Sequence, residues 1–262
     1  MKKAFHNLVS DTLLPWSLPV LLLIAWQVAA QSGWLSSGIL SSPLDVLRAA
    51  IRLVKSGELF QYIGTSSWRA LIGFAIGGSI GLFLGLLAGL FSIAEKLFDT
   101  SIQMLRNIPH LALIPLVILW FGIEEGAKLF LVALGVLFPV YLNTFHGIRS
   151  VDAKLVEMGR IYGLRGFALF RHIIFPAALP SILVGIRFAL GIMWVTLIVA
   201  ETISANSGIG YMAMNAREFM QIDVVIVSIL LYALLGKLSD YIAKVAERRF
   251  LAWNPNYRKG SA

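Results

Sequence analysis

The sequence contains no cysteine, which excludes both a disulfide framework and a thiolate metal site. Charge is almost as scarce: Asp, Glu, Lys and Arg make up 14% of the 262 residues against 58% hydrophobic ones, and the mean hydropathy is +0.80. A soluble core of this size does not call for so much apolar surface. The four histidines, His6, His110, His146 and His172, show no HExxH or comparable ligand spacing, and no serine lies in a GxSxG elbow. These absences argue against an intramembrane hydrolase or a lipid-modifying enzyme. A P-loop is missing too, because Gly236-Lys237 is followed by Leu238 and Leu231 stands where its first glycine would be. Any nucleotide energy must therefore enter through another chain.

What the sequence does have is long apolar runs. About 20 such residues cross a bilayer core of roughly 30 Å. Six runs approach that length: Leu13 to Ala30, Trp68 to Phe91, Ile102 to Phe121, Ala127 to Phe145, Ala177 to Ala200 and Val224 to Tyr241. Pro109, His110 and Pro115 interrupt the third. The expectation is an all-α membrane protein of about six transmembrane helices, forming one domain over residues 1–262. With a cytoplasmic N-terminus, 15 Lys and Arg fall at cytoplasmic span ends, 6 fall outside and Arg187 lies within a span. The positive-inside rule then places both termini in the cytoplasm. Lys2 and Lys3 ahead of the first run also fit a signal peptide, with Val28-Ala29-Ala30 as a cleavage site. A retained first helix, however, gives the even span count.

The net charge of +8 is dispersed around the spans, which suits anionic lipid and topology and not nucleic acid. All carboxylates fall outside the apolar interiors of the six runs, with Glu201 nearest, at an external helix end. Candidates for a translocation pathway are therefore Arg187, Glu201 and His110. For Arg187 two readings stand: a side chain snorkelling to the inner headgroups, or a cationic pore surface.

Three segments carry further pattern. In the first external loop, about 42–57, Ser42 suits an N-cap, Pro43 the first helical position, Asp45 a capping-box acid and Gly57 a stop. Val46, Leu47, Ala50, Ile51 and Val54 make that loop an amphipathic helix on the outer surface. In the second span Gly73, Gly77, Gly81, Gly85 and Gly89 form a four-residue stripe for close helix packing, within the subunit or between subunits. The third segment, about 147–176, holds five basic residues and is longer than a minimal helix connection. Ser150 can cap a helix with Leu155, Met158 and Tyr162 on one face, Gly163 ends it, and a second short helix runs from Phe167 to Ile174 before Pro176.

Spacing within that segment is more specific. Glu157, Gly163 six residues on, Ile173 ten further and Pro176 three beyond resemble the EAA loop of ABC-importer permeases. Met158 and Gly159 replace its two alanines and Phe175 its leucine. RNIPHLALIPLVILWFG (106–122), NTFHGIR (143–149), PAALPSILVGIRFALGIMW (176–194) and AETISANSGIGYMAMNAREF (200–219) resemble the nitrate, taurine and sulfonate branch, the aliphatic sulfonate permeases above all. The resemblance implies a homodimeric pore in a bacterial inner membrane, the loop acting as a cytoplasmic helix-turn-helix that couples to an ATPase. Two copies of that ATPase would bind ATP and Mg, so the chain itself would hold no cofactor and catalyse nothing. An external binding protein would deliver a small organosulfur anion, an aliphatic sulfonate, with taurine or nitrate as the alternatives. A secondary transporter or channel would also explain the spans, but it leaves the loop without a purpose.

Overall fold

The computed structural model describes residues 14–32 and 40–254, and all regular structure among them is helical. Lys2, Lys3 and His6 lie outside the described residues, as do Arg258 and Lys259, which are among the 15 Lys and Arg counted on the cytoplasmic side. The helices are α1 (Leu14–Gln31), α2 (Pro43–Ser56), α3 (Glu58–Leu90), α4 (Ser92–Arg106), α5 (Ile114–Phe121), α6 (Glu125–Arg149), α7 (Ala153–Ile161), α8 (Gly166–Leu169), α9 (Phe175–Ser204), α10 (Ile209–Glu218) and α11 (Ile222–Phe250).

Among the described residues four stretches are long and apolar enough to cross a membrane: α3, α6, the continuous run of α8 and α9, and α11. The sequence suggested six. The third run is broken, because α4 and the stretch His110–Phe121 meet at an 80° bend. Pro109 precedes a tight 3-10 turn over His110–Leu113, and Pro115 opens α5, so no straight helix passes through both prolines. Counting that bent pair gives up to five crossings, and α1 is the shorter apolar helix at the position of the first run.

The core is organised around α6, the most buried of the long helices. Its partner on one side is α3, which runs parallel to it, and the glycine stripe lies at their contact. A Cβ at Gly73 would stand 2.6 Å from Val132, at Gly81 2.5 Å from the Leu137 carbonyl, at Gly85 2.7 Å from Thr144 and at Gly89 2.7 Å from Ile148. At Gly77 it would fall on the Ala133 carbonyl. The two backbones approach so closely that only hydrogen fits between them. On the other side α6 meets α9 through Gly147 against Ser181 and Gly185 against Asn143. In turn α9 packs on α11, where the Trp194 indole donates to Ser239 at 2.8 Å.

Helix α2 divides its apolar residues between two faces. Val46, Ala49 and Leu53 are buried, on the side that packs against α11, whereas Leu44, Leu47, Ile51 and Val54 remain exposed. Its start is fixed locally: the Asp45 amide donates to Ser42 Oγ at 3.2 Å, and Ser42 Oγ donates to the Asp45 carboxylate at 2.6 Å. Gly57, at φ +80°, ends α2 and begins α3.

Candidate functional site

Three polar arrangements stand out against this apolar framework. The first is a groove along α9. Val184, Arg187, Phe188, Gly191 and Val195 recur at helical spacing and share one face. With His110, Thr196 and Asp240 they border a cavity of about 540 Å³. Arg187 Nε donates to Asp240 at 2.7 Å, Glu247 lies 3.6 Å from its Nη1, and Lys244 pairs with Asp240 at 2.9 Å. Across the groove His110 Nε2 and Thr196 Oγ1 are 3.0 Å apart. His110 and Arg187, singled out separately in the sequence, thus border the same cavity. The cation, however, is matched by α11, so Arg187 is neither an unpaired charge nor a lone snorkelling side chain. The signal for its partners was present, since Asp240 and Glu247 are seven residues apart and therefore share a helix face.

Glu201 does not join the groove. Its carboxylate is fully buried near the C-terminal end of α9, and so at the opposite end of the helices from the 150–174 segment. Arg69 Nη1 donates to it at 2.8 Å, Ser66 Oγ at 2.8 Å, the Gly210 amide at 2.9 Å and Tyr232 Oη at 2.9 Å. Gly208, at φ +104°, and Gly210 supply the tight turn, and a Cβ at either would strike the Glu201 side chain. Arg69 is itself 2% exposed and reaches in the other direction to Glu125 through two hydrogen bonds of 2.6 Å. Lys128, 3.4 Å from Glu125, completes the cluster. One guanidinium therefore ties α3, α6 and α9 together, and through Glu201 the tie extends to α10 and α11. Sequence reading missed Arg69 because it stands at the first turn of the second apolar run, where it was counted as a flanking charge; α3 in fact begins ten residues earlier, at Glu58.

The 150–174 segment is the third arrangement. Helix α7 starts at Asp152 and not at Ser150: the Lys154 amide donates to Asp152 Oδ1 at 2.9 Å, whereas the Ser150 hydroxyl turns back to the Gly147 carbonyl at 3.1 Å. At its end Gly163 has φ +85°, with Leu164 N bonded to Gly159 O and Gly163 N to Arg160 O, the two bonds of a Schellman stop. The second helix does not end before Pro176. Helix α8 passes through a π turn, Phe170–Ile174, straight into α9. A proline ring collides with the carbonyl four residues back, here that of His172, and the wider π turn lies at that point. Gly159 is buried, its missing Cβ filled by Ile173 and Leu169, so α7 rests on the root of α9. Glu157 is exposed and pairs with neither Lys154 nor Arg160. Ile161 is 85% exposed, Tyr162 80% and Phe167 72%. Apolar side chains thus crowd the tip of a basic loop.

A sequence family described as "Binding-protein-dependent transport system inner membrane component" matches residues 81–252. The chain belongs to that family. Among such permeases it is 68% identical over 243 residues, 93% of this chain and 92% of the other, to the "Putative aliphatic sulfonates transport permease protein SsuC" of Escherichia coli (strain K12). The Bacillus subtilis (strain 168) protein of the same description is 45% identical over 92% of this chain and 87% of its own. A chain from "Crystal structure of an amino acid ABC transporter with histidines" superposes with a TM-score of 0.63 at 19% identity, over 76% of this chain and 97% of its own. That likeness establishes a shared permease fold. The family match takes in the groove, Glu201 and the 150–174 loop, while Arg69 lies before it.

Proposed function

We propose that this permease is the membrane subunit of an ATP-driven importer of aliphatic sulfonates, working as a homodimer with two ATPase copies and an external binding protein. The observation that carries the substrate is the 68% identity, along 93% of the chain, to a permease named for aliphatic sulfonates. The geometry supports the coupling. Ile161, Tyr162 and Phe167 are the kind of exposed apolar surface that a soluble partner covers. ATP and Mg would sit on that partner, and the 150–174 end would face the cytoplasm, as the positive-inside rule requires.

Helix continuity then gives the route of force. The tip of the loop is joined without a break, through α8 and the π turn, to α9, and α9 carries the groove. Drawing the two loops of a dimer together would tilt both copies of α9. Each state would make contacts the other lacks, which is what moves an equilibrium. The test is growth on single sulfur sources with and without this chain. Loss of growth on ethanesulfonate, with growth on sulfate kept, is the expected result. Loss on taurine alone, or a defect confined to nitrate as nitrogen source, would reassign the substrate within the branch.

A further inference from the structure

We propose that the α9 groove is a transit site for the substrate, shaped for an amphipathic anion whose alkyl chain lies along Phe188, Gly191 and Val195 and whose sulfonate meets Arg187. This rests on the function proposed above and adds a place on the chain where the substrate is held. A volume of about 540 Å³ lies within the roughly 300–1,000 Å³ of small-molecule sites.

The chemistry of the walls fits a molecule with one apolar and one anionic end. Phe188 and Val195 are 64% and 59% exposed along the groove. At its end Arg187 Nε is hydrogen-bonded to Asp240 and Nη1 is ion-paired with Glu247 at 3.6 Å, while its terminal nitrogens donate no hydrogen bond among the described residues. A guanidinium carries five N–H donors, so donors remain for the three oxygens of a sulfonate. Because Arg187 and Lys244 are balanced by Asp240 and Glu247, the site offers those donors without a net positive charge. An anion is met and released, as a path requires. A lipid chain would leave both the guanidinium donors and the His110–Thr196 pair without a purpose.

Gly191 makes the groove testable. Unlike the glycines of the α3 stripe, it has nothing within 4 Å of where a Cβ would stand, so close packing does not require it. Glycine weakens a helix relative to alanine, and here the one evident return is space in the cavity. Gly191→Phe adds a ring to that space from a Cβ position with nothing within 4 Å.

The experiment measures uptake of ethanesulfonate and octanesulfonate by vesicles holding the complete transporter, with the assembled complex checked by size-exclusion chromatography. Gly191→Phe is expected to lower the octane-to-ethane uptake ratio by roughly tenfold or more, since steric exclusion from a fitted pocket is strongly discriminating. Assembly of the complex should stay at the wild-type level. An unchanged ratio in a normally assembled variant overturns the groove and leaves the sulfonate function standing. Loss of the homodimer with equal loss of both substrates also overturns it, and makes this face of α9 a contact between copies. Wild-type vesicles that carry neither sulfonate would overturn the function itself, and the groove with it.

Discussion

Removing Arg69 should damage this protein more than removing either of its carboxylate partners. Glu201 has 0% side-chain exposure and Arg69 is its cation at 2.8 Å, whereas Glu125 is 59% exposed and can return to water. Arg69→Met therefore strands a buried carboxylate, a loss of about 3–5 kcal/mol. Glu201→Gln keeps the shape, leaves Arg69 held by both oxygens of Glu125 and weakens four charge-assisted hydrogen bonds, so a cost of about 1–3 kcal/mol follows. Glu125→Gln, at the exposed end of the chain of contacts, should cost least. The double variant Arg69→Met with Glu201→Gln removes the stranded charge and should be more stable than the sum of its parts. Thermal unfolding of the detergent-solubilised protein reads this order. At roughly 2–4 °C per kcal/mol for a chain of this size, Arg69→Met should melt on the order of 10 °C below wild type. An Arg69→Met protein that melts with the wild type would show that the cluster does not hold these helices together.

Neighbouring glycines on α3 should separate cleanly: Gly77→Ala drives a methyl into the Ala133 backbone and should lower stability and yield, while Gly78→Ala, whose nearest neighbours are 3.8 Å away, should be neutral or slightly stabilising, as expression and melting would report. Arg187→Gln breaks the pairs to Asp240 and Glu247 and leaves two carboxylates against one lysine, so sulfonate uptake should fall at normal protein level; unchanged uptake would remove Arg187 from the path. Gly163→Val puts a branched side chain at φ +85°, and Tyr162→Asp charges the exposed tip. Both should insert and dimerise normally yet fail to co-purify the ATPase, and normal co-purification of both would mean the loop is not its seat. Reporter fusions after Ser150 and at the C-terminus should read cytoplasmic and one after Ser56 external, an external C-terminus being incompatible with the proposed orientation.

How legible was this in the sequence? Helix period and span length are local properties: all of Trp68 to Phe91 but its last residue lies within α3, and Ala177 to Ala200 lies within α9. The motif spacing from Glu157 to Pro176 marked the loop. What sequence reading could not see were pairings between distant segments. Arg69 meets Glu201 across 132 residues, and Arg187 meets Asp240 across 53. Arg69 looked like an isolated charge at a span end, and Arg187 like an isolated charge within a span, until packing brought their partners. Local proline effects misled in both directions: Pro109 bent a run that counted as one span, whereas Pro176 sits inside a continuous helix because a π turn accommodates it.

The proposed function is movement of aliphatic sulfonates across the membrane at the expense of ATP hydrolysed by a partner. Vesicles containing the permease and its ATPase, with binding protein outside, measure this directly. Ethanesulfonate uptake should require both ATP within and binding protein without, and should exceed uptake of taurine and nitrate. Uptake that proceeds without the ATPase, driven by an ion gradient, would contradict the account.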